Sequence, residues 1–317
     1  METRRPVVLH LAERAEALGY DAFFVAEGWG HDAGVLVAEV ATRTRGITLG
    51  TGVLNVWGRT PATIAMLAAS LAEVSDGRFV LGLGAGSPPL AEGLHDTDFT
   101  EPVARLASVT RQVRGLLEGG RLQPTARREN GPLRLAVTPP DGVRIHLAAL
   151  GPRSVRMAGG LADGWVPFLL PLSGLAAGVA LLHEGAAAAG PDRQPPLVAP
   201  CIPAAVSPDP ATAREVASWW VSFYLARMGP LYRQTLLRLG HARAVEAVLA
   251  ANPTPRTSEV PETAEVLLDE LTLWGDRRRA RESLDRWYDA GAQLPTLVLP
   301  PGRPVEDLEH VLEVMAP

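Results

Sequence analysis

The 317-residue sequence contains no lysine; all 30 of its Lys and Arg positions are arginine. A barrel enzyme working through a lysine Schiff base, or anchoring pyridoxal phosphate on lysine, is thereby excluded. Cysteine is almost as scarce. The single Cys201 rules out an internal disulfide and any metal site built on a cysteine pair, and reads as a small buried hydrophobe ahead of a nucleophile. No His-x-His, HExxH or paired acidic ligands occur, so no metal is expected. The sequence shows no run of eighteen apolar residues, so no membrane span is expected. A net charge of -5 and a pI near 5.8 leave no basic face for nucleic acid.

What is present describes a globular chain, with 47% hydrophobic residues. Its opening, METRRPVVLHLAERAEALGYD, breaks its apolar residues with His10, Glu13, Arg14 and Glu16. It reads as an amphipathic helix and not a signal peptide, which implies a cytoplasmic protein. Strand-like and helix-like stretches then alternate. Apolar strands fall at Asp21–Glu27, Ile47–Val53, Arg78–Gly86, Arg144–Gly151, Gly164–Leu170, Leu197–Val206 and Thr296–Pro300, with helical patterns between most of them. Strands apolar on both faces, each followed by a helix, predict an α/β fold with a parallel sheet. A doubly wound sheet and a closed barrel both fit. The number of repeats and the length favour a (β/α)8 TIM-type barrel with insertions, forming one domain over 1–317.

Some features sit outside the repeat. The count reaches only seven strands, and the chain opens on a helix where such a barrel opens on a strand. Residues 120–142 predict a hairpin or surface excursion. Residues 208–290 are too long for one crossover and predict a helical insertion. Within it Trp219, Trp220, Phe223 and Tyr224 recur at helical spacing, which fits helix packing or an oligomer interface, or, more sharply, a lid.

In a barrel the site lies where strands end. Glu27, His31 and Asp32 follow the first visible strand, Asn55, Trp57 and Arg59 the second, and Gly84, Gly86, Ser87, Glu92 and His95 the third. His31 and Asp32 suit acid–base work, but adjacent residues do not face each other. His95 is an equal candidate, whereas the mid-strand His146 reads as a core histidine. The turn Leu150-Gly151-Pro152-Arg153-Ser154 joins a strand to a helix N-terminus and suits an anion or a plain strand-to-helix turn, with Arg153 or Arg156 to add charge.

The segments GYDAFFVAEGWGHDA, ITLGTGVLNVWGRTPATIAMLAASLAEVSDGRFVLGLGAGS, LAEGLHDTDF and IHLAALGPRSVRMAGGLADGW resemble the luciferase-like monooxygenase superfamily. The likeness is greatest to its coenzyme F420-dependent branch, similar to methylenetetrahydromethanopterin reductase. The resemblance implies a cis peptide at Gly52–Val53 behind the deazaflavin ring, with Asn55 and Gly84, Gly86 and Ser87 on the ring side. It implies that Gly151, Pro152 and Arg153 contact the cofactor phosphate, and that a hydride moves between the deazaflavin C5 and a small-molecule substrate. Glu27, His31 and His95 are then the catalytic candidates, with Ser87 a further group that could move a proton. FMN is the alternative cofactor, for a monooxygenase. A homodimer is the implied assembly. Departures from the family pattern point to a third reading, a cofactor-independent cyclase or isomerase, or a non-catalytic binding partner. Gly28 stands where the family carries histidine, and Leu94 where it carries tryptophan. Ser87 stands where the sugar-phosphate dehydrogenases carry an acid. The family's first strand has no counterpart, which implies either a late start or a barrel with a gap.

Overall fold

The computed structural model describes residues 2–124, 129–139, 142–254 and 256–317. Among these, the strands run in chain order as β1 (Ala22–Val25), β2 (Thr48–Thr51), β3 (Leu54–Asn55), β4 (Phe79–Gly84), β5 (Arg144–Ala148), β6 (Gly164–Trp165), β7 (Leu197–Val198), β8 (Cys201–Val206), β9 (Leu273–Gly275) and β10 (Thr296–Val298). The chain divides into two compact units, Thr3–Ala148 with Leu161–Gly164 and Ala149–Gly160 with Trp165–Pro317.

The first unit opens on the expected helix, Arg5–Ala17, whose Val8, Leu9, Leu11, Ala12 and Ala15 are buried. Its strands pair in parallel in the order β1-β2-β4-β5, with β3 also on β4. Glycine makes room for rings in this sheet. A Cβ on Gly50 would lie 2.6 Å from the Phe24 ring, and one on Gly164 2.5 Å from the His146 ring. At the opposite end from the loops that follow the strands, Glu16 accepts hydrogen bonds from the backbone N–H groups of Arg45, Gly46 and Ile47, at 2.8, 2.7 and 3.0 Å. Partial burial works against its charge, yet these three donors and Arg78 hold its carboxyl below the usual range. Glu16→Ala strands three donors just before β2, and is expected to cost about 2 kcal/mol in a urea denaturation series.

In the second unit β8 is central, paired in parallel with β10 on one side and β9 on the other. β9 corrects the sequence reading of an unbroken helical region to residue 290. Three residues, Leu273, Trp274 and Gly275, are too few to show an apolar period, so the strand was invisible among its helical neighbours. The expected strand at Leu197–Val206 is split into β7 and β8, because Pro200 has no N–H for a ladder. The expected Gly164–Leu170 strand keeps two residues and a bridge from Phe168 to Cys201.

The aromatic run lies on the helix Pro210–Arg227. Trp220 is buried, Trp219 stacks on Phe223, and Phe168 meets Tyr224 edge-on at 4.8 Å, which is helix packing. Half-buried Cys201 has its thiol pushed up to about 12 by desolvation, so it is inert at neutral pH. The stretch Leu172–Ala189 has the length and hydropathy of a membrane span, although its apolar residues are not an unbroken run. It carries His183 and Glu184, and buries Leu175, Leu182 and Ala186. In the excursion at 120–142, Arg121 and Arg134 form an antiparallel bridge, as a hairpin requires; residues 125–128 and 140–141 lie outside the described residues.

Candidate functional site

The first unit gathers most of the expected residues around the segment 51–59. The peptide Gly52–Val53 is cis, as the resemblance implies. The corner is seated on β4. Thr51 Oγ1 donates to the Gly82 carbonyl at 3.0 Å and accepts from the Gly82 N–H at 2.9 Å. Gly82 and Gly84 let the two segments touch. A Cβ on Gly82 would fall 1.9 Å from the Thr51 carbonyl oxygen, and one on Gly84 2.7 Å from Val53 Cγ2. Gly86, at φ +65, takes the left-handed turn that follows. Next to it the Ser87 hydroxyl is buried without a hydrogen-bond partner among the described residues. Such an atom is uncommon in a folded protein and marks a place for a ligand atom or a water.

After the corner, Asn55 turns the chain. Its Oδ1 accepts from the N–H groups of Trp57 and Gly58, at 3.0 and 2.9 Å, and its Nδ2 meets His95 Nε2 at 3.1 Å. Trp57 Nε1 donates to the Ala85 carbonyl at 2.6 Å, and the Arg105 guanidinium stacks 4.4 Å from the Trp57 ring. Asn55, His95 and the glycine turn are thus one connected group. Arg105 belongs to it and was not foreseen, because nothing in its helical spacing distinguishes it from a solvated arginine.

Glu27 is elsewhere employed. Arg59 grips both its oxygens, Nη1 to Oε1 at 2.6 Å and Nη2 to Oε2 at 2.8 Å, and also reaches Asp32 at 2.5 Å. Asp32 in turn caps the helix Ala33–Arg43 through Gly34 and Val35. Arg59 is held further toward its charged form, chiefly by the Glu27 hydrogen bonds. Partial burial opposes the charge on Asp32, but Arg59 and the helix N–H groups outweigh it and lower its acidity range. His31 stands apart: it is exposed, and its Nε2 donates to the Thr3 carbonyl at 3.0 Å. The structure therefore places the acidic partner of this loop with Arg59 and not with His31.

His146 on β5 is buried, as a core histidine should be, but its Nδ1 has no partner among the described residues. Burial first, and Arg144 second, push it down to about 4 from 6.5, against a smaller upward pull from Asp163. The folded chain therefore binds fewer protons than the unfolded one. Stability is intact above about pH 6.5 and is lost as pH falls toward 4, by roughly 3 kcal/mol if this group acts alone. Urea midpoints at neutral and acid pH check this, and His146→Leu is expected to flatten the difference.

In the second unit Gly151 leads into the helix Pro152–Leu161, at the turn the sequence offers either for an anion or as a plain strand-to-helix turn. Ser154 Oγ donates to the Gly151 carbonyl at 2.9 Å and accepts from the Gly151 N–H at 3.1 Å. Arg153 is exposed, and among the described residues it has no hydrogen bond or ion pair. Arg156 is taken by Glu184 at 2.6 Å, which leaves Arg153 as the available charge. No group of three or more His, Cys, Asp or Glu that could hold a metal occurs among the described residues.

Comparison with known proteins gives a consistent result. The profile of the luciferase-like monooxygenase family matches residues 5–294. A Mycobacterium tuberculosis protein assigned to the coenzyme F420-dependent oxidoreductases is 30% identical over 94% of this chain and 92% of its own. The 5,10-methylenetetrahydromethanopterin reductase of Methanolobus tindarius is 28% identical over 69% of this chain and 67% of its own. Among solved structures, the coenzyme F420-dependent tetrahydromethanopterin reductase of Methanopyrus kandleri superposes with a TM-score of 0.81. It covers 99% of this chain and 94% of its own at 18% identity, a likeness of fold. The α/β fold expected from the strand and helix pattern is thereby shown.

Proposed function

The chain belongs to the luciferase-like monooxygenase family and is an enzyme of the oxidoreductase kind, and from that premise we propose that it moves a hydride between coenzyme F420 and a small organic substrate. The observation that carries this reading is the Gly52–Val53 corner lying against side-chain-free Gly82 and Gly84, next to a buried Ser87 hydroxyl with no partner among the described residues. A flat ring needs a fixed floor and a few polar contacts; the corner seated on the β4 glycines suits the first and the Ser87 hydroxyl the second. The similarity to F420-dependent proteins over nearly the whole chain supports the choice of cofactor.

When bound, the deazaflavin supplies the hydride-accepting and hydride-donating carbon. The chain's own residues position and insulate. Val53 is fixed by its contacts with the β4 glycines. Gly84 makes room for the Val53 side chain, Gly86 turns the chain beside Asn55 and Trp57, and the Ser87 hydroxyl is available to hydrogen-bond a polar ring atom. Trp57, pinned by Ala85 and Arg105, holds the glycine turn in shape. Taken by itself, the second unit offers the turn Gly151-Pro152-Arg153 as a place for a phosphate group; the Gly151 N–H is held by Ser154 and Pro152 has none, so the Arg153 N–H at the helix start and the Arg153 guanidinium are its donors. Glu27, closed on both oxygens by Arg59, orients its loop and is not a free acid.

Titration of the purified protein with coenzyme F420 and, separately, with FMN, followed by absorbance and fluorescence, tests the reading. Saturable F420 binding that Gly84→Ala weakens is the expected result. Preferential FMN binding would move the chain to oxygen chemistry, and failure of both would overturn the reading in favour of cofactor-independent catalysis.

A further inference from the structure

The contacts of Asn55 fix more than its own place. A carboxamide has one oxygen that only accepts and one nitrogen that only donates. The Asn55 oxygen receives two backbone N–H groups, from Trp57 at 3.0 Å and Gly58 at 2.9 Å. Rotating the amide by half a turn would set its NH2 against both donors, so its orientation is determined. The Asn55 nitrogen must therefore donate across the 3.1 Å contact to His95 Nε2. A nitrogen that accepts is unprotonated, and the proton of the neutral ring lies on Nδ1.

Gly58 holds the ring in this position. A Cβ there would fall 2.5 Å from His95 Cε1 and 2.9 Å from both ring nitrogens, so the imidazole lies flat on a bare backbone. His95 Nδ1 has no hydrogen-bond partner among the described residues, and it is not one of the buried unpartnered atoms, which leaves it open to a ligand.

We propose that Asn55 is a positioning residue that locks His95 in the Nδ1–H tautomer, making the ring a hydrogen-bond donor to an acceptor oxygen of the substrate. Asn55 thus acts through His95 and does not need to touch the cofactor. With Nε2 engaged by an N–H donor, His95 has no second proton to give. It polarises an oxygen, such as that of a carbonyl, and does not serve as the acid that protonates it. The lock is a property of the chain alone; only the identity of the acceptor as a substrate oxygen rests on the oxidoreductase reading.

The experiment is long-range 1H–15N correlation on protein labelled with 15N-histidine, without cofactor, with His95→Gln assigning the His95 signals. The expected spectrum at neutral pH has a lone-pair shift at Nε2 and an N–H shift at Nδ1. Asn55→Asp puts an accepting oxygen where the amide nitrogen was, and is expected to move the proton to Nε2. Asn55→Ser, too short to reach the ring, is expected to give averaged tautomers should the aspartate variant not fold. A protonated Nε2 in the wild-type protein, or averaged tautomers there, overturns the proposal. So does a variant whose tautomer is unchanged. F420 titration of the same samples separates the two readings: a locked tautomer without cofactor binding would sink the proposed function and leave the lock standing.

Discussion

Gly82→Ala is expected not to accumulate as a folded protein, or to fold with a loss of more than about 4 kcal/mol, at the extreme of what single substitutions do. The reason is geometric. The added carbon would stand 1.9 Å from the Thr51 carbonyl oxygen, and both partners are backbone of adjacent parallel strands, so neither can swing aside. The same shift would break the pair of hydrogen bonds that Thr51 Oγ1 makes to the Gly82 N–H and carbonyl. Gly84→Ala is the informative contrast. Its new carbon meets Val53 Cγ2 at 2.7 Å, a side-chain atom that can rotate. That variant is expected to fold, to lose about 1–3 kcal/mol as an overpacked site, and to show its main deficit in cofactor binding. Soluble yield and a thermal melt separate the two in one afternoon's comparison; equal melts for both would contradict the assignment of Gly82 to the frame and Gly84 to the site.

Arg59→Met is the second large effect. Arg59 and Glu27 are mostly buried, with side-chain exposures of 15% and 7%. Removing the guanidinium leaves a buried carboxylate without its bidentate partner, which costs about 3–5 kcal/mol. The double variant Glu27→Met/Arg59→Met removes the charge as well as its partner. It is expected to recover most of the loss, since a buried ion pair and an apolar pair of like size are often nearly equal in stability. A urea double-mutant cycle measures the difference. Additive losses would mean that solvent reaches Glu27 in the folded chain.

The fold was legible where the apolar runs were long. β4 and β5 and the helices between them stand out because each buries a continuous face. β9 did not, since three residues carry no period. For the candidate site, the glycines at 82, 84 and 86 are a weak signal by spacing alone, and it was the resemblance that pointed to the corner at Gly52–Val53. The roles of side chains were less legible still. Glu27, His31 and Asp32 lie within six positions, and the sequence offers His31–Asp32 as readily as Glu27–Asp32. Only the folded chain shows that Arg59, distant in sequence, collects the two acids and leaves His31 on the surface. His95 and Asn55, forty positions apart, were both named, but a contact between two side chains on separate loops has no signature in spacing.

Asp32 has two attachments, and they set a timescale. One oxygen caps Gly34 and Val35 at the start of the helix Ala33–Arg43, and the other is held by Arg59. Opening the first helical turn therefore requires releasing the arginine, and the two become one cooperative unit. Deuterium uptake at the amides of Gly34 and Val35 then acts as a clock for the loop that carries Glu27. These amides are expected to exchange together, far more slowly than those of a frayed helix end, and to speed up in concert when Arg59 is replaced.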